Sequence, residues 1–303
     1  MEFLDKLNKQ QLEAVSAGNG PILVVAGPGS GKTRVLTQRI AYLIAVDGVR
    51  PWQILAVTFT NKAAKEMAER VKRLLPDQAT EGMMLGTFHS ICARILRRES
   101  EYLPIGSNFV IFDTDDQERI VKAVIGELNI NEKLYRPPSV HGAISRAKNE
   151  LIGPDQYPTT TYRDEIVKRV YIEYQKRLIA SNAVDFDDIL VYTARLLEDN
   201  PTVRDKYAQR FRHVLVDEFQ DTNLAQYALV SQLASFNRNI FVVGDPDQSI
   251  YAWRGADWRN VQRFEQDFPD AQTILLEQNY RSRQNILNAA MGVIDRARNR
   301  KPK

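Results

Sequence analysis

The sequence has one cysteine and three histidines among 303 residues, and no long apolar run. The single thiol, Cys92, excludes an internal disulfide framework, and no Cys/His cluster has the spacing of a zinc site. No apolar run approaches the roughly 18 residues of a membrane-spanning helix, so no membrane partner is expected. The opening residues, MEFLDKLNKQ, are too polar and acidic for a signal peptide. We therefore expect a cytoplasmic protein.

A strong charge of either sign is also lacking. The net charge is +3 and the isoelectric point is near 8.8, which permits a nucleic-acid partner without indicating one. The basic run RARNRKPK (296–303) is more typical of a solvated end than of a DNA-binding arm. With 44% hydrophobic residues, the chain can bury ordinary cores and is about two domains long.

Short apolar runs rich in β-branched residues mark the predicted strands, which are ILVVA (22–26), ILAVT (54–58), HVLVD (213–217), IFVVG (240–244) and TILL (273–276). Continuous runs of this length are typical of strands buried on both faces of a parallel sheet. The segments after the first two runs have apolar residues at helical spacing, and Thr60 or Asn61 is placed as a helix cap. This order predicts α/β architecture.

From about residue 88 to 208 the pattern is helical. TDDQ (114–117) reads as a capping box, and residues 165–179 form a further amphipathic pattern. Because strands of the first type resume at His213, we predict a helical domain inserted into the parallel-sheet domain.

The stretch 26–33, AGPGSGKT, matches the P-loop pattern except for alanine in the first position. Glycines let backbone N–H groups approach phosphates, the next helix offers its positive end, and lysine adds charge. The threonine hydroxyl can coordinate Mg²⁺. The predicted nucleotide-binding residues here are Ala26, Gly27, Gly29, Ser30, Gly31, Lys32, Thr33 and Arg34. An ordinary glycine turn is the less favoured alternative.

A second motif, VLVDEFQD (214–221), ends an apolar strand in adjacent carboxylates. Asp217 is predicted as a Mg²⁺ ligand beside the P-loop, and Glu218 as the group that polarises the attacking water. The alternative is a plain acidic turn. Asp221 is predicted to cap a helix that starts at Thr222.

The third motif, VVGDPDQSIYAWRGAD (242–257), also follows a predicted strand. Gln248 could sense a terminal phosphate. Tyr251, Trp253 and Arg254 form an aromatic and cationic cluster of the kind on which single-stranded bases stack. For Trp253 alone, a partly buried core position is equally compatible with the sequence.

With these motifs in place, the chain resembles the N-terminal half of a superfamily 1 DNA helicase of the UvrD, Rep and PcrA family. LNKQQLEAV (7–15) resembles the Q motif, and AGPGSGKTRVL resembles motif I. VTFTNKAAKEMAERV (57–71) and GTFHSICARIL (86–96) resemble motifs Ia and Ib. VDEFQD, GDPDQSIYAWRGA and LEQNYRSRQNIL (276–287) resemble motifs II, III and IV. Seven motifs occur in family order.

The resemblance implies a role for each matching residue. Gln11 would read the adenine edge and Tyr280 would stack on adenine, while Arg281 would reach the γ-phosphate and Gln248 would link that phosphate to the DNA-binding residues. The implied DNA-binding residues are Phe59, Asn61, His89, Tyr251, Trp253 and Arg254. Judged without the family, His89 is more typical of a surface or capping histidine. The aspartates of NAVDFDDIL (182–190) are expected to be structural rather than metal-binding.

The family's fold implies a RecA-like domain 1A (1–87 and 209–276), an inserted helical domain 1B (88–208) and the start of domain 2A (277–303). Motifs V and VI are absent from these 303 residues. The resemblance implies an ATP- and Mg²⁺-dependent 3′ to 5′ translocase acting on single-stranded DNA and single-strand/duplex junctions, in repair or replication. Repair or replication proteins, or a separate C-terminal half, are the implied protein partners.

For these residues alone, the resemblance implies nucleotide and DNA binding with little unwinding. The alternative from another class is a non-motor module that uses ATP-dependent DNA binding for regulation. Glu218, Gln248 and Arg281 favour the motor, because the resemblance implies that all three serve hydrolysis.

Overall fold

The structure, a computed structural model, describes residues 3–76, 79–250, 255–257 and 259–294. Within these residues the strands are β1 (Ile22–Ala26), β2 (Ile54–Thr58), β3 (Met84–Thr87), β4 (Val110–Ile111), β5 (Ala183–Val184), β6 (His213–Val216), β7 (Ile240–Gly244) and β8 (Gln272–Leu276). The helices are α1 (Lys9–Ser16), α2 (Lys32–Ala45), α3 (Asn61–Leu74), α4 (Phe88–Arg98), α5 (Thr114–Glu127), α6 (Pro137–Asn149), α7 (Tyr162–Ala180), α8 (Phe186–Asp199), α9 (Pro201–Arg210), α10 (Leu224–Leu233), α11 (Arg259–Asp267) and α12 (Gln284–Ile294).

These described residues fall into two compact units. One contains the residues up to Phe88, residues 205–222 and those from 230 onward, and the other contains residues 89–204 and 223–229. None of the described helices is long and apolar enough to cross a membrane. The finer division at residues 87, 208 and 276 stays a prediction.

The first unit is built on a six-stranded sheet in the order β3-β2-β6-β7-β1-β8, in which every pairing is parallel. In the register, Val24 of β1 lies opposite Val243 of β7 and Ile274 of β8. The predicted α/β class with a parallel sheet is confirmed. Because parallel strands end at the same edge, the turns after β1, β6 and β7 come together there, and this edge is where α/β folds bind ligands.

Burial explains why these segments form strands. All residues of β1, β2, β6 and β7 are buried, as expected for strands covered on both faces. Helices α2 and α3 contribute apolar residues to the same core, including Val35, Ile40, Met67 and Val71. The edge strand β8 buries only Ile274 and Leu276.

Two predicted helix starts are wrong by a few residues. The cap of α5 is Asp113, whose side chain accepts from Asp116 N, so the capping box begins one residue before TDDQ. Asp221 lies in a 3-10 turn and does not cap a helix at Thr222. Instead, α10 begins at Leu224, and the Asn223 side chain accepts from Gln226 N at 2.8 Å.

The second unit packs α5, α6 and α7 around an apolar core that includes Val124, Ile144 and Val170. A buried lysine, Lys148, lies within it. Its Nζ donates to Asp185 Oδ2 at 2.6 Å and to Asp188 Oδ1 at 2.7 Å. Tyr174 also donates to Asp185, at 2.9 Å. Two of the three aspartates of the DFDD segment thus neutralise one buried ammonium group.

Candidate nucleotide site

The glycine-rich loop leaves β1 at the carboxyl edge of the sheet. Gly27 N donates to the carbonyl oxygen of Leu276 in β8 at 3.0 Å, and the Ser30 hydroxyl donates to the Gly27 carbonyl oxygen at 2.7 Å. Gly29 and Gly31 have φ angles of +67° and +94°, a region that side chains disfavour. The compact turn therefore depends on glycine at both positions.

Helix α2 begins directly after this turn. Its N-cap is Gly31, which has no side chain to bond the first peptide groups. The N–H groups of a first helical turn have no intrahelical partner and carry the positive end of the helix dipole, so this terminus suits an anion. Lys32 and Thr33 are the first two helical residues, and Ala26 is buried at the end of β1. Arg34 donates to the Lys6 carbonyl oxygen at 2.8 Å.

Three of the predicted residues meet around the Lys32 ammonium group. Lys32 Nζ lies 3.4 Å from Glu218 Oε2 and donates to Gln248 Oε1 at 3.3 Å. The Lys32 side chain is only 10% exposed, so this contact is partly shielded from solvent. Because the three residues come from α2, the turn after β6 and the turn after β7, their meeting follows from the strand order.

The adjacent carboxylates after β6 differ in their surroundings. Asp217 is buried, and its backbone N–H donates to the Val57 carbonyl oxygen at 3.0 Å. Its side-chain Oδ1 accepts a hydrogen bond from Glu218 N at 3.0 Å. Burial raises the pKa of the Asp217 carboxyl to about 7, and the Glu218 charge adds to the rise. Glu218 is half-buried and has left-handed backbone angles, φ 48° and ψ 44°. Such a conformation is disfavoured for a residue with a side chain and is typical of functional sites.

Gln248 is oriented by the turn that follows β7. The Asp245 side chain caps this 3-10 turn by accepting Asp247 N at 3.2 Å. Gln248 Nε2 donates to the other oxygen of the same carboxylate at 2.5 Å. The amide oxygen of Gln248 is thereby left facing Lys32.

Gln11 lies against the glycine-rich loop. It is 1% exposed, and its Nε2 donates to the Ser30 carbonyl oxygen at 2.8 Å. Asn8 caps α1 by accepting Gln11 N at 2.7 Å, and Asn8 N donates back to Gln11 Oε1 at 3.2 Å. The Gln11 amide therefore supports the loop, and its reading of an adenine edge stays a prediction.

The segment after β8 also contacts the loop. Tyr280 N donates to the Gly29 carbonyl oxygen at 2.9 Å. Tyr280 is 55% exposed, and its hydroxyl accepts a hydrogen bond from Asn8 Nδ2 at 2.8 Å. A methyl group placed on Gly29 would stand 2.7 Å from Arg281 Cβ. Tyr280 and Arg281 are thus adjacent to the predicted phosphate loop, as expected for residues that would contact a bound nucleotide.

Some residues that contact these predicted residues were not predicted to belong to the site, among them Asn8, Gln220 and Asn279. Asn8 could have been found, because an N-cap residue followed three positions later by glutamine is a capping-box pattern. Asn279 donates to the Pro28 carbonyl oxygen and accepts Arg281 N at 2.8 Å. The contacts of Asn279 with Pro28 and of Gln220 with Asp245 have no short-range signal, because each joins segments that are distant in sequence.

The predicted DNA-binding residues are only partly described. Phe59, half-buried after β2, packs edge-on against Phe88 with ring centroids 5.7 Å apart, and Asn61 is exposed at the start of α3. In the second unit, His89 packs edge-on against the exposed ring of Phe186 at 5.9 Å, and burial lowers the pKa of His89. Tyr251, Trp253 and Arg254 lie outside the described residues.

Comparison with known proteins agrees with this geometry. The family model described as the UvrD/REP helicase N-terminal domain matches residues 7–269. The chain is 51% identical over its full length to the ATP-dependent DNA helicase PcrA of Bacillus subtilis, and 51% identical over 99% of its length to that of Staphylococcus aureus. It is 48% identical over 98% of its length to that of Leuconostoc citreum. The chain spans about two fifths of the length of these relatives, 41%, 41% and 40% respectively. It belongs to the UvrD/REP helicase family, whose N-terminal domain it contains.

Proposed function

We propose that this chain binds ATP with Mg²⁺ and hydrolyses it, as the catalytic core of a 3′ to 5′ single-stranded DNA translocase and helicase. The observation that carries the proposal is the meeting of Lys32, Glu218 and Gln248 beside a glycine turn and a helix N-terminus. These residues would supply the positive charge, the general base and the phosphate sensor for triphosphate hydrolysis. The relatives' names, ATP-dependent DNA helicase PcrA, support the same activity.

The phosphate-binding part of the proposal depends on charge and backbone geometry. Lys32 would exchange its contacts with Glu218 and Gln248 for a triphosphate, whose negative charge is larger. The first turn of α2 would donate N–H groups to the same phosphates. Gln11 and Tyr280 would contact the base, a role supported by their contacts with the loop at Ser30 and Gly29.

The Mg²⁺ part of the proposal depends on Asp217 and Thr33. No group of three or more His, Cys, Asp or Glu residues in the described part of the chain could hold a metal by itself. Mg²⁺ in such sites uses one or two protein oxygens together with substrate phosphates, which this donor set fits. A cation would also favour the ionised form of the buried Asp217 carboxyl, whose pKa is raised to about 7 by burial. Bound Mg²⁺ would neutralise charge that develops on the phosphates.

Hydrolysis itself would be performed by Glu218, which would accept a proton from the attacking water. Gln248 would report on the terminal phosphate, a role supported by the contact of its amide oxygen with Lys32. The exposed position of Arg281 beside Gly29 supports its role in stabilising charge on the γ-phosphate.

We further propose single-stranded DNA and single-strand/duplex junctions as substrates, and repair or replication in the cytoplasm as the setting. Phe59, Asn61 and His89, together with Tyr251, Trp253 and Arg254, would line the single-strand path. For a polypeptide of these residues alone, without motifs V and VI, we expect weak binding and little unwinding, because translocation needs two domains that move against each other.

Steady-state ATP hydrolysis with and without oligo-dT tests the proposal. Lys32→Ala should weaken nucleotide binding, whereas Glu218→Gln should preserve binding and lose turnover by about 10²-fold or more. DNA-stimulated turnover that Glu218→Gln abolishes would support an ATPase core. Equal turnover in wild type and Glu218→Gln would remove the proposed catalytic role, and nucleotide-dependent DNA binding without any turnover would favour the non-motor alternative.

A further inference from the structure

Gln220 connects the turn after β6 to the turn after β7 through a single buried amide. It is 2% exposed. Its Nε2 donates to Glu218 Oε2 at 2.9 Å and to Asp221 Oδ2 at 3.2 Å. Its Oε1 accepts Asp245 N at 2.9 Å. Both ends of the amide are therefore hydrogen-bonded, one to carboxylates and the other to the backbone of a neighbouring turn.

The Glu218 carboxylate has two neighbours at one oxygen. Oε2 accepts from Gln220 and also lies 3.4 Å from Lys32 Nζ. If Lys32 turns to a triphosphate, as the proposed function requires, Glu218 loses its cationic neighbour. The amide of Gln220 then remains as the group that fixes the direction of the carboxylate.

The acceptor end of Gln220 reaches the other catalytic turn. Asp245, whose backbone N–H it accepts, also receives Gln248 Nε2 at its side chain. A methyl group placed on Gly244 would stand 2.8 Å from Gln220 Oε1, so a side chain at this position would displace the Gln220 amide. The Ser249 hydroxyl donates to the Gln220 carbonyl oxygen at 3.2 Å, which is a second hydrogen bond between the turns after β6 and β7.

We propose that Gln220 is a positioning residue for hydrolysis, which holds the Glu218 carboxylate toward the attacking water and keeps it in register with Gln248. This inference rests on the proposed function. The Gln220 amide donates to Glu218 and accepts from Asp245 N together. A carboxylate at position 220 keeps the acceptor but loses the donor, and it places a third negative charge beside Glu218 and Asp221.

Two substitutions distinguish the contributions of the donor and acceptor ends of the amide. Gln220→Met is similar in volume and removes both hydrogen-bonding ends, whereas Gln220→Glu retains the acceptor for Asp245 N. The matched control is Gln38→Met, because Gln38 is also buried in the first unit but donates to the Phe3 carbonyl oxygen. Each protein is assayed for kcat, KM, affinity for a fluorescent ATP analogue and thermal unfolding, with oligo-dT present.

The expected result is a fall in kcat of about 10- to 100-fold in both Gln220 variants, since misplacement of a catalytic group by about 1 Å has this scale of effect. Nucleotide affinity should change by less than about threefold, because Gln220 donates to no predicted phosphate-binding residue. Gln38→Met should retain wild-type kcat. If Gln220→Met does not fold, Gln220→Glu still gives the kcat comparison.

Failure of this inference and failure of the proposed function would give different results. Wild-type kcat in a folded Gln220→Met or Gln220→Glu protein, with turnover still lost in Glu218→Gln, would overturn the positioning role and leave the proposed function intact. A parallel loss of kcat and nucleotide affinity would indicate general disruption and also overturn it. Wild-type turnover no faster than that of Glu218→Gln would overturn the proposed function and this inference with it.

Discussion

The side-chain amide of Gln11 lies where a methyl group on Gly31 would need to be, since Nε2 would stand 2.9 Å from it. Gly31 also has a φ angle of +94°. Gly31 therefore needs to lack a side chain, because the Gln11 amide occupies the space beside it. A substitution at Gly31 should therefore also change the position of the Gln11 side chain.

Gly31→Ala should weaken ATP binding by more than its backbone strain alone explains. Left-handed backbone destabilises an L-residue by roughly 1–2 kcal/mol, and the displaced Gln11 amide would also disturb the Ser30 carbonyl. The matched control is Gly20→Ala, where φ is +115° but no atom lies within 4 Å. Both variants should lower the free energy of unfolding, and only Gly31→Ala should reduce nucleotide affinity. In a double-mutant cycle, the losses of nucleotide affinity in Gly31→Ala and Gln11→Ala should be less than additive, and strictly additive losses would mean that the contact is unimportant.

Lys148→Met should lower the free energy of unfolding of the second unit by about 3–5 kcal/mol, because it leaves two buried carboxylates without their cation. Burial opposes the charge of Lys148, yet Asp185 and Asp188 outweigh it and raise its pKa. Chemical denaturation measures the change. The control is Lys176→Met, whose lysine is 67% exposed and pairs with Glu173 at 3.6 Å; its effect should stay below about 1 kcal/mol. Equal losses of stability in both variants would contradict a stabilising role for the Lys148 contacts with Asp185 and Asp188.

Stability should fall on acidification in part because of His213, the first residue of β6. Burial lowers the pKa of His213 to about 4, and Arg39 and Arg212 add to the decrease. The unfolded chain, with a histidine pKa near 6.5, then binds more protons than the folded chain between about pH 6.5 and 4. The His213 contribution is fully present above about pH 6.5 and is lost as pH falls toward 4, with an upper limit of roughly 3 kcal/mol.

His213→Gln isolates that contribution, since the other titrating groups are common to both proteins. The free energy of unfolding, measured from pH 7 to 4.5, should fall less steeply in the variant than in wild type. Parallel pH profiles would mean that His213 titrates normally in the folded protein.

Trp253→Ala should weaken single-stranded DNA binding by about 1–3 kcal/mol, the range for loss of one base-stacking aromatic. This prediction rests on the sequence, because Trp253 lies outside the described residues. Fluorescence anisotropy with labelled oligo-dT measures the affinity. Trp52→Ala is the control, because Trp52 is 45% exposed and packs against Arg50. Unchanged affinity in Trp253→Ala would favour a core position for Trp253.

The sequence predicted the parallel sheet well because strands such as β1 and β7 are buried along their whole length and therefore read as unbroken apolar runs. Lys32 and Glu218 could be predicted because each lies in a short motif beside a strand end. β3 was missed, since its four residues, MLGT, include a glycine and only two large apolar side chains. Contacts such as that of Gln220 with Asp245, 25 residues apart, are set by strand order and have no local pattern.

The phosphate loop is held by hydrogen bonds from residues made at very different times. Asn279 and Pro28, joined beside it, are 251 positions apart in the chain. At a translation rate of ~5–20 residues per second, roughly 10–50 s therefore pass between synthesis of the loop and synthesis of β8 and the segment after it. Throughout that interval the nascent chain carries the glycine-rich loop without its contacts from Leu276, Asn279 and Tyr280, so the loop should reach its final arrangement only after these residues have been made.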